Sequence, residues 1–191
     1  MSTSTDEGMA TMARTTILTL VGSLRAASIN RQLAELARES APDGVALHIF
    51  EGLADLPFYN EDIDTATPPP TVAALRAAAA EADAALVVTP EYNGTIPAVV
   101  KNALDWLSRP WGASDLKDKP VAVIGAAQGR YGGSWAHDET RKSLGIFGPR
   151  VIESITLSLP ASSLEGKHPR DNADVATAVG EAVRQLAAEV E

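Results

Sequence analysis

The segment Gly22-Ser23-Leu24-Arg25-Ala26-Ala27-Ser28-Ile29-Asn30 puts three small polar side chains, Ser23, Ser28 and Asn30, beside one guanidinium, Arg25. An apolar run precedes it and a helical pattern follows it. A helix starting there turns its unpaired backbone N–H groups and the positive end of its dipole toward the same loop. Hydroxyls, a guanidinium and free amides in one place suit a phosphate. A plainer reading also stands: Ser28 or Asn30 caps the helix, and Arg25 lies in solvent.

Two further segments carry chemistry of another kind. Pro90-Glu91-Tyr92-Asn93-Gly94-Thr95-Ile96-Pro97 offers an aromatic ring, an amide and exposed backbone, which suit a flat heterocycle that hydrogen-bonds at its edges. Asn-Gly by itself marks a hairpin turn, but a proline-started helix follows here, so no hairpin is expected. An ordinary loop with Tyr92 packed on the core is the competing reading. Gly125-Ala126-Ala127-Gln128-Gly129-Arg130-Tyr131-Gly132-Gly133 has glycines that allow backbone to approach a ligand closely. A plain flexible loop explains them equally well.

Other chemistries are excluded by pattern. GxxxxGK[ST] and a GxGxxG after the first strand are both missing, which argues against a P-loop and a Rossmann dinucleotide site. No GxSxG elbow appears. His48, His137 and His168 lack zinc spacing, and with no cysteine there is no thiolate chemistry. Asn60, Asp62 and Asp64 are spaced like the opening of a calcium loop, but Thr65 and Thr71 stand where glycine and glutamate are required; a solvated acidic loop is expected. A phospho-receiver needs acidic residues where Gly22-Ser23 and Thr89-Pro90 stand.

These loops need elements to hold them. Apolar runs at Thr15–Val21, Val45–Phe50, Ala84–Thr89, Pro120–Ala126 and Arg150–Ile155 start 30, 39, 36 and 30 residues apart. That is one βα unit each, at roughly 30 residues or more. Leu86-Val87-Val88 and Val121-Ala122-Val123-Ile124 are apolar throughout, as in strands covered on both faces. Helical periodicity occupies Asn30–Ser40, Thr71–Ala82, Pro97–Leu107, Gly133–Ile146 and Asp174–Val190, while Pro68–Pro70 and Ser162–Asn172 read as loops. The class is α/β with a parallel sheet. Ligands of such sheets bind beyond the carboxyl ends of the strands, at the topological switch point, where the three segments lie.

GSLRAASIN, PEYNGTIPAVVKNALDW and GAAQGRYGG, in that order and with LPFYNED after the second strand, resemble the NAD(P)H-dependent FMN reductase family of flavodoxin-like proteins, which includes chromate, quinone and azo-dye reductases. The resemblance spans residues 15–155 and implies a five-stranded parallel sheet of order 2-1-3-4-5 with helices on both faces. It implies Ser23, Arg25, Ser28 and Asn30 around the FMN phosphate, with Ile29 also among the cofactor-binding residues. Pro90, Glu91, Tyr92, Asn93 and Gly94 would line the ribityl chain and ring, with Gly129, Gly132 and Gly133 at the ring's other edge. Hydride would pass from NADPH or NADH to FMN, and electrons then to a small-molecule acceptor such as a quinone, free flavin, azo dye or metal oxyanion. No side chain is assigned as catalytic acid or base. The alternative is a flavodoxin-type electron carrier, which would not itself oxidise NAD(P)H.

The 25 acidic and 16 basic residues leave a net charge of -9, which argues against nucleic acid and acidic membranes as partners. No run approaches the roughly 18 apolar residues of a membrane span. Residues 1–14 read as a disordered leader and 15–191 as a single FMN-binding domain; a cytoplasmic location is expected. Family resemblance further implies a homodimer or homotetramer, with Trp106, Leu107 and Trp111 as interface anchors unless they belong to the core.

Overall fold

The computed structural model describes residues 15–190; the leader expected over 1–14 lies outside them. Five parallel strands run in the order β2-β1-β3-β4-β5. They are β1 (Thr15–Val21), β2 (Val45–Ile49), β3 (Ala84–Val88), β4 (Pro120–Ala127) and β5 (Arg150–Pro160). The helices between and after them are α1 (Ile29–Glu39), α2 (Pro70–Glu81), α3 (Ala98–Leu107), α4 (Ser134–Phe147) and α5 (Ala173–Ala188). This is the flavodoxin-like order.

The all-apolar strands divide their side chains between two cores. Along β3, Ala84, Leu86 and Val88 join Leu33 and Ala37 of α1 and Val179, Val183 and Leu186 of α5. Ala85 and Val87 point the opposite way, to Leu75 of α2, Val100, Leu104 and Trp106 of α3 and Leu144 of α4. Successive strand residues face opposite sides, so a strand between two helical layers must be apolar at every position.

The core claims two of the residues assigned to an interface. Trp106 and Leu107 are 0% and 1% exposed, whereas Trp111 is 64% exposed. Trp106 Nε1 donates to the Pro57 carbonyl at 2.8 Å, and Tyr59 packs edge-on against its ring. Asn102, also on α3, accepts from the Tyr59 N–H and donates to the Pro57 carbonyl. Helix α3 therefore anchors the loop after β2.

The acidic loop is not merely solvated. Arg76 grips both oxygens of Asp64, at 2.8 and 3.0 Å, and holds its carboxyl below the ordinary aspartate range. Asn60 Oδ1 accepts from the Asp62 N–H and caps a short 3-10 turn, Glu61–Ile63.

Strand β5 runs beyond the expected Ile155. Val121 pairs with Val151, but Val123 pairs with Thr156, so two steps along β4 match five along β5. The extra residues form a bulge, after which β5 follows β4 to Ala127 opposite Pro160. Glu153, Ser154 and Thr156 are exposed there and break the apolar pattern that marked the run's start.

Candidate cofactor site

The loops after β1, β3 and β4 meet at the carboxyl ends of their strands. They enclose a cavity of about 270 Å³ lined by Ser23, Arg25, Ile29 and Asn30, by Pro90, Glu91 and Tyr92, and by Ala126 to Gly129, with Ala161 at its border. A depression of about 370 Å³ adjoins it beside Ser23–Ala26, and an apolar one of about 380 Å³ lies between Leu24, Tyr92 and Pro97–Val99; Arg25 borders all three.

Gly22 turns the chain out of β1 where no side chain fits. A Cβ there would lie 2.5 Å from Thr89 Oγ1 and 2.6 Å from a Val100 methyl. The exposed stretch Leu24–Ala27 follows, and α1 begins. Ser28 is the N-cap: its hydroxyl accepts from the Arg31 N–H at 3.2 Å. Ile29 and Asn30 occupy the first two helical positions, whose N–H groups have no intrahelical acceptor.

The polar residues of this loop divide between different tasks. The Ser28 hydroxyl caps, as the plainer reading had it. Asn30 does neither of the things expected of its side chain: Nδ2 donates to the Ala126 carbonyl at 2.9 Å, and Oδ1 accepts from the Ala126 N–H at 2.8 Å. Its side chain is therefore committed to β4, and only its backbone N–H is left toward the loop. Arg25 makes no ion pair or hydrogen bond among the described residues, while Arg31 is bound to Glu35 and Glu51. Ser23 is nearly buried, with its hydroxyl 3.5 Å from that of Tyr92, too far for a strong bond, so both keep capacity for a ligand.

The segment after β3 contains the hairpin turn that was not expected. Tyr92 and Thr95 exchange backbone hydrogen bonds in both directions, and Asn93 and Gly94 have φ of 53° and 77°. This is one rung of a hairpin, closed by the left-handed pair that a type I′ turn demands. The proline-led helix prevents it from lengthening. Tyr92 is half exposed and is not packed in the core. The Glu91 carboxylate accepts from the Ala136 N–H in the first turn of α4, joining the second loop to the third. Asn93 and Gly94 shape this turn and do not line the cavity.

The glycines after β4 separate by role. Gly129 lines the cavity with open space around it. Gly132, at φ +64°, lies so close to β5 that a Cβ would meet the Ser158 carbonyl at 2.4 Å. Gly133, at φ +94°, is the N-cap of α4 and packs over His137. Neither Gly132 nor Gly133 lines the cavity. Gln128 and Ala161 do, although a lone glutamine and an alanine beyond β5 carry no pattern in the sequence.

The donor set suits an anion at one end of the cavity, with Arg25 and two helical amides, and a planar polar group at the other, against Pro90 and Tyr92. The NADPH-dependent FMN reductase family profile matches residues 15–163. The chain belongs to that family. It is thus an oxidoreductase that uses FMN with NAD(P)H. It is 45% identical over 150 residues to a quinone reductase of Pseudomonas putida, across 78% of this chain and 77% of that one. A 2-hydroxy-1,4-benzoquinone reductase of a Burkholderia species is 43% identical over 125 residues, 65% of this chain and 67% of that one. Among solved structures, FerB, a flavoenzyme NAD(P)H:(acceptor) oxidoreductase from Paracoccus denitrificans, is similar with a TM-score of 0.81 at 30% identity, covering 92% of this chain and 97% of that chain.

Proposed function

We propose that this family member holds FMN in the cavity between the three loops and passes electrons from NAD(P)H to a quinone. The observation that carries the reading is convergence: an arginine with no protein partner among the described residues and the amino end of α1 face one cavity with Pro90 and Tyr92. Ser23, Arg25 and the N–H groups of Ile29 and Asn30 hold the phosphate. Pro90, Glu91, Tyr92 and Gly129 border the ribityl chain and ring. When bound, FMN supplies the hydride and electron chemistry; the chain's own residues bind and orient it. The names of the two relatives support the quinone class.

Residues 15–191 act as one domain in this reading. The cytoplasm, where reduced nicotinamide is supplied, is its place of work. Assembly as a homodimer or homotetramer uses Trp111 and Phe58, exposed at 64% and 81%, as anchors near the end of α3. Arg109 stacks between Tyr59 and Trp111, 5.4 and 5.6 Å from their ring centroids, and stiffens that surface.

The test is to record the visible spectrum with and without FMN, then NAD(P)H oxidation with benzoquinone, an azo dye and chromate as acceptors. A flavin spectrum and a preference for the quinone are expected. Absence of flavin uptake at micromolar FMN overturns the reading, and a preference for either other acceptor overturns the quinone assignment.

A further inference from the structure

The backbone ladder between β3 and β4 stops beside the cavity, and side chains take over its next bonds. Their ladder is regular through Val88 opposite Ile124, and the Thr89 N–H donates to the Ile124 carbonyl. In a parallel ladder the next bonds run from the Ala126 N–H to the Thr89 carbonyl and from the Glu91 N–H to the Ala126 carbonyl. Neither forms. Both backbone groups of Ala126 are taken by the side-chain amide of Asn30, which mimics a strand peptide. The Thr89 carbonyl is taken instead by His137 Nε2 at 2.9 Å. On its other edge β4 stays paired with β5 as far as Ala127. The loss of backbone pairing is thus confined to the side on which the cavity opens.

Gly125 makes room for this exchange. A Cβ there would sit 2.0 Å from the Thr89 carbonyl oxygen and 2.8 Å from both Asn30 Oδ1 and His137 Nε2. His137 itself is completely buried. A carbonyl can only accept, so Nε2 carries the proton, and Nδ1 accepts from the Ser158 hydroxyl at 2.7 Å. Burial pushes the imidazole below its ordinary pKa and Arg141 adds to that, while the Thr89 carbonyl, Glu91 and Asp138 oppose it.

We propose that Asn30 and His137 are a pair of positioning residues which replace one rung of the β3–β4 ladder beside the cavity, end the backbone pairing there and so leave the Glu91 N–H for the cofactor. That N–H donates to no protein group among the described residues. The proposal rests on the FMN reading and adds to it the device that shapes the site. Cutting a ladder inside a sheet leaves buried backbone groups that need other partners. Two side chains meet that need here, and the one donor left over borders the cavity.

The experiment separates the two nitrogens of His137. His137→Gln places an amide N–H near the Nε2 position and keeps the Thr89 bond. His137→Asn reaches only the Nδ1 position and loses it. Full-length protein freed of flavin is titrated with FMN by fluorescence quenching, with circular dichroism and urea unfolding to establish folding. The Gln variant is expected to stay within about threefold of wild type, and the Asn variant to bind about tenfold or more weakly. Equal affinities in all three, or a Gln variant as weak as the Asn variant, would overturn the proposal.

A second measurement on wild type decides the matter if the Asn variant fails to fold. Nitrogen-15 NMR of the histidines should show His137 protonated at Nε2, and the Glu91 amide should gain protection from exchange when FMN binds. A proton on Nδ1, or an unprotected Glu91 amide in the FMN complex, contradicts it. Wild-type protein that takes up no FMN overturns the functional reading and this proposal with it. Normal uptake with insensitive variants overturns the proposal alone.

Discussion

Arg25 and Arg31 bracket the start of α1 and differ in what they are left to do. Arg31 is spent on Glu35 and Glu51, which form a helical pair and a cross-loop pair with it. Arg25 borders the cavity and makes no such bond among the described residues. A hydrogen bond to a charged group contributes about 1.5–3 kcal/mol. Arg25→Ala should therefore weaken FMN binding by roughly tenfold to a hundredfold or more. Riboflavin has no phosphate, so its binding should change little. Parallel titrations of both flavins test this, and an unchanged FMN-to-riboflavin preference would refute the role of Arg25. Residue types alone placed Ser23, Ser28, Asn30 and Arg25 together as candidates. They could not divide the work, because capping, strand mimicry and anion binding all use the same small polar groups.

At the scale of elements, glycine is where a single letter hides several causes. Gly129 stands in open space, while Gly132 has a left-handed backbone pressed against β5. Gly129→Ala should leave the thermal midpoint within about 1–2 °C of wild type. Gly132→Ala forces both a strained φ and a clash, and should cost about 2–4 kcal/mol. Thermal unfolding of the two variants side by side checks this; equal midpoints would remove the argument. Strands and helices themselves were legible because their periods differ. The single hairpin rung at Asn93-Gly94 is masked in the sequence by the helix that follows, although a turn needs only its own two residues. The bulge in β5 was illegible for another reason. Its extra residues are defined by the register on β4, which is not local in sequence.

Across the whole molecule, ligand binding and assembly should each be measurable. A ligand that binds only the folded state stabilises it by about 2.7 kcal/mol at a hundredfold excess over Kd. For a chain of this size that is a rise of about 5–10 °C in Tm on adding FMN. A midpoint indifferent to FMN would contradict the cofactor site. Light scattering should give a multiple of the 20.0 kDa chain mass; replacing Trp111 with lysine should shift it toward the monomer. A monomer at micromolar concentration would end the assembly proposal. Trp106 and Leu107, assigned to that surface with Trp111, belong to the core between β3, β4 and α2, and a helix wheel does not distinguish a buried apolar face from one awaiting a partner.

Sequence by itself determined the alternating α/β order, the loops that meet at the carboxyl edge of the sheet, and the hydroxyl, guanidinium and amide donors of the first of them. Each follows from local rules: the period of apolar residues, the amides at a helix start, the conformations open to glycine. Tertiary structure decided which groups remain available. Asn30 lies 96 residues from Ala126, whose backbone settles what the Asn30 side chain does. Hydrogen-bonding capacity is a property of the residue, but whether it is already used depends on what the fold brings within 3 Å.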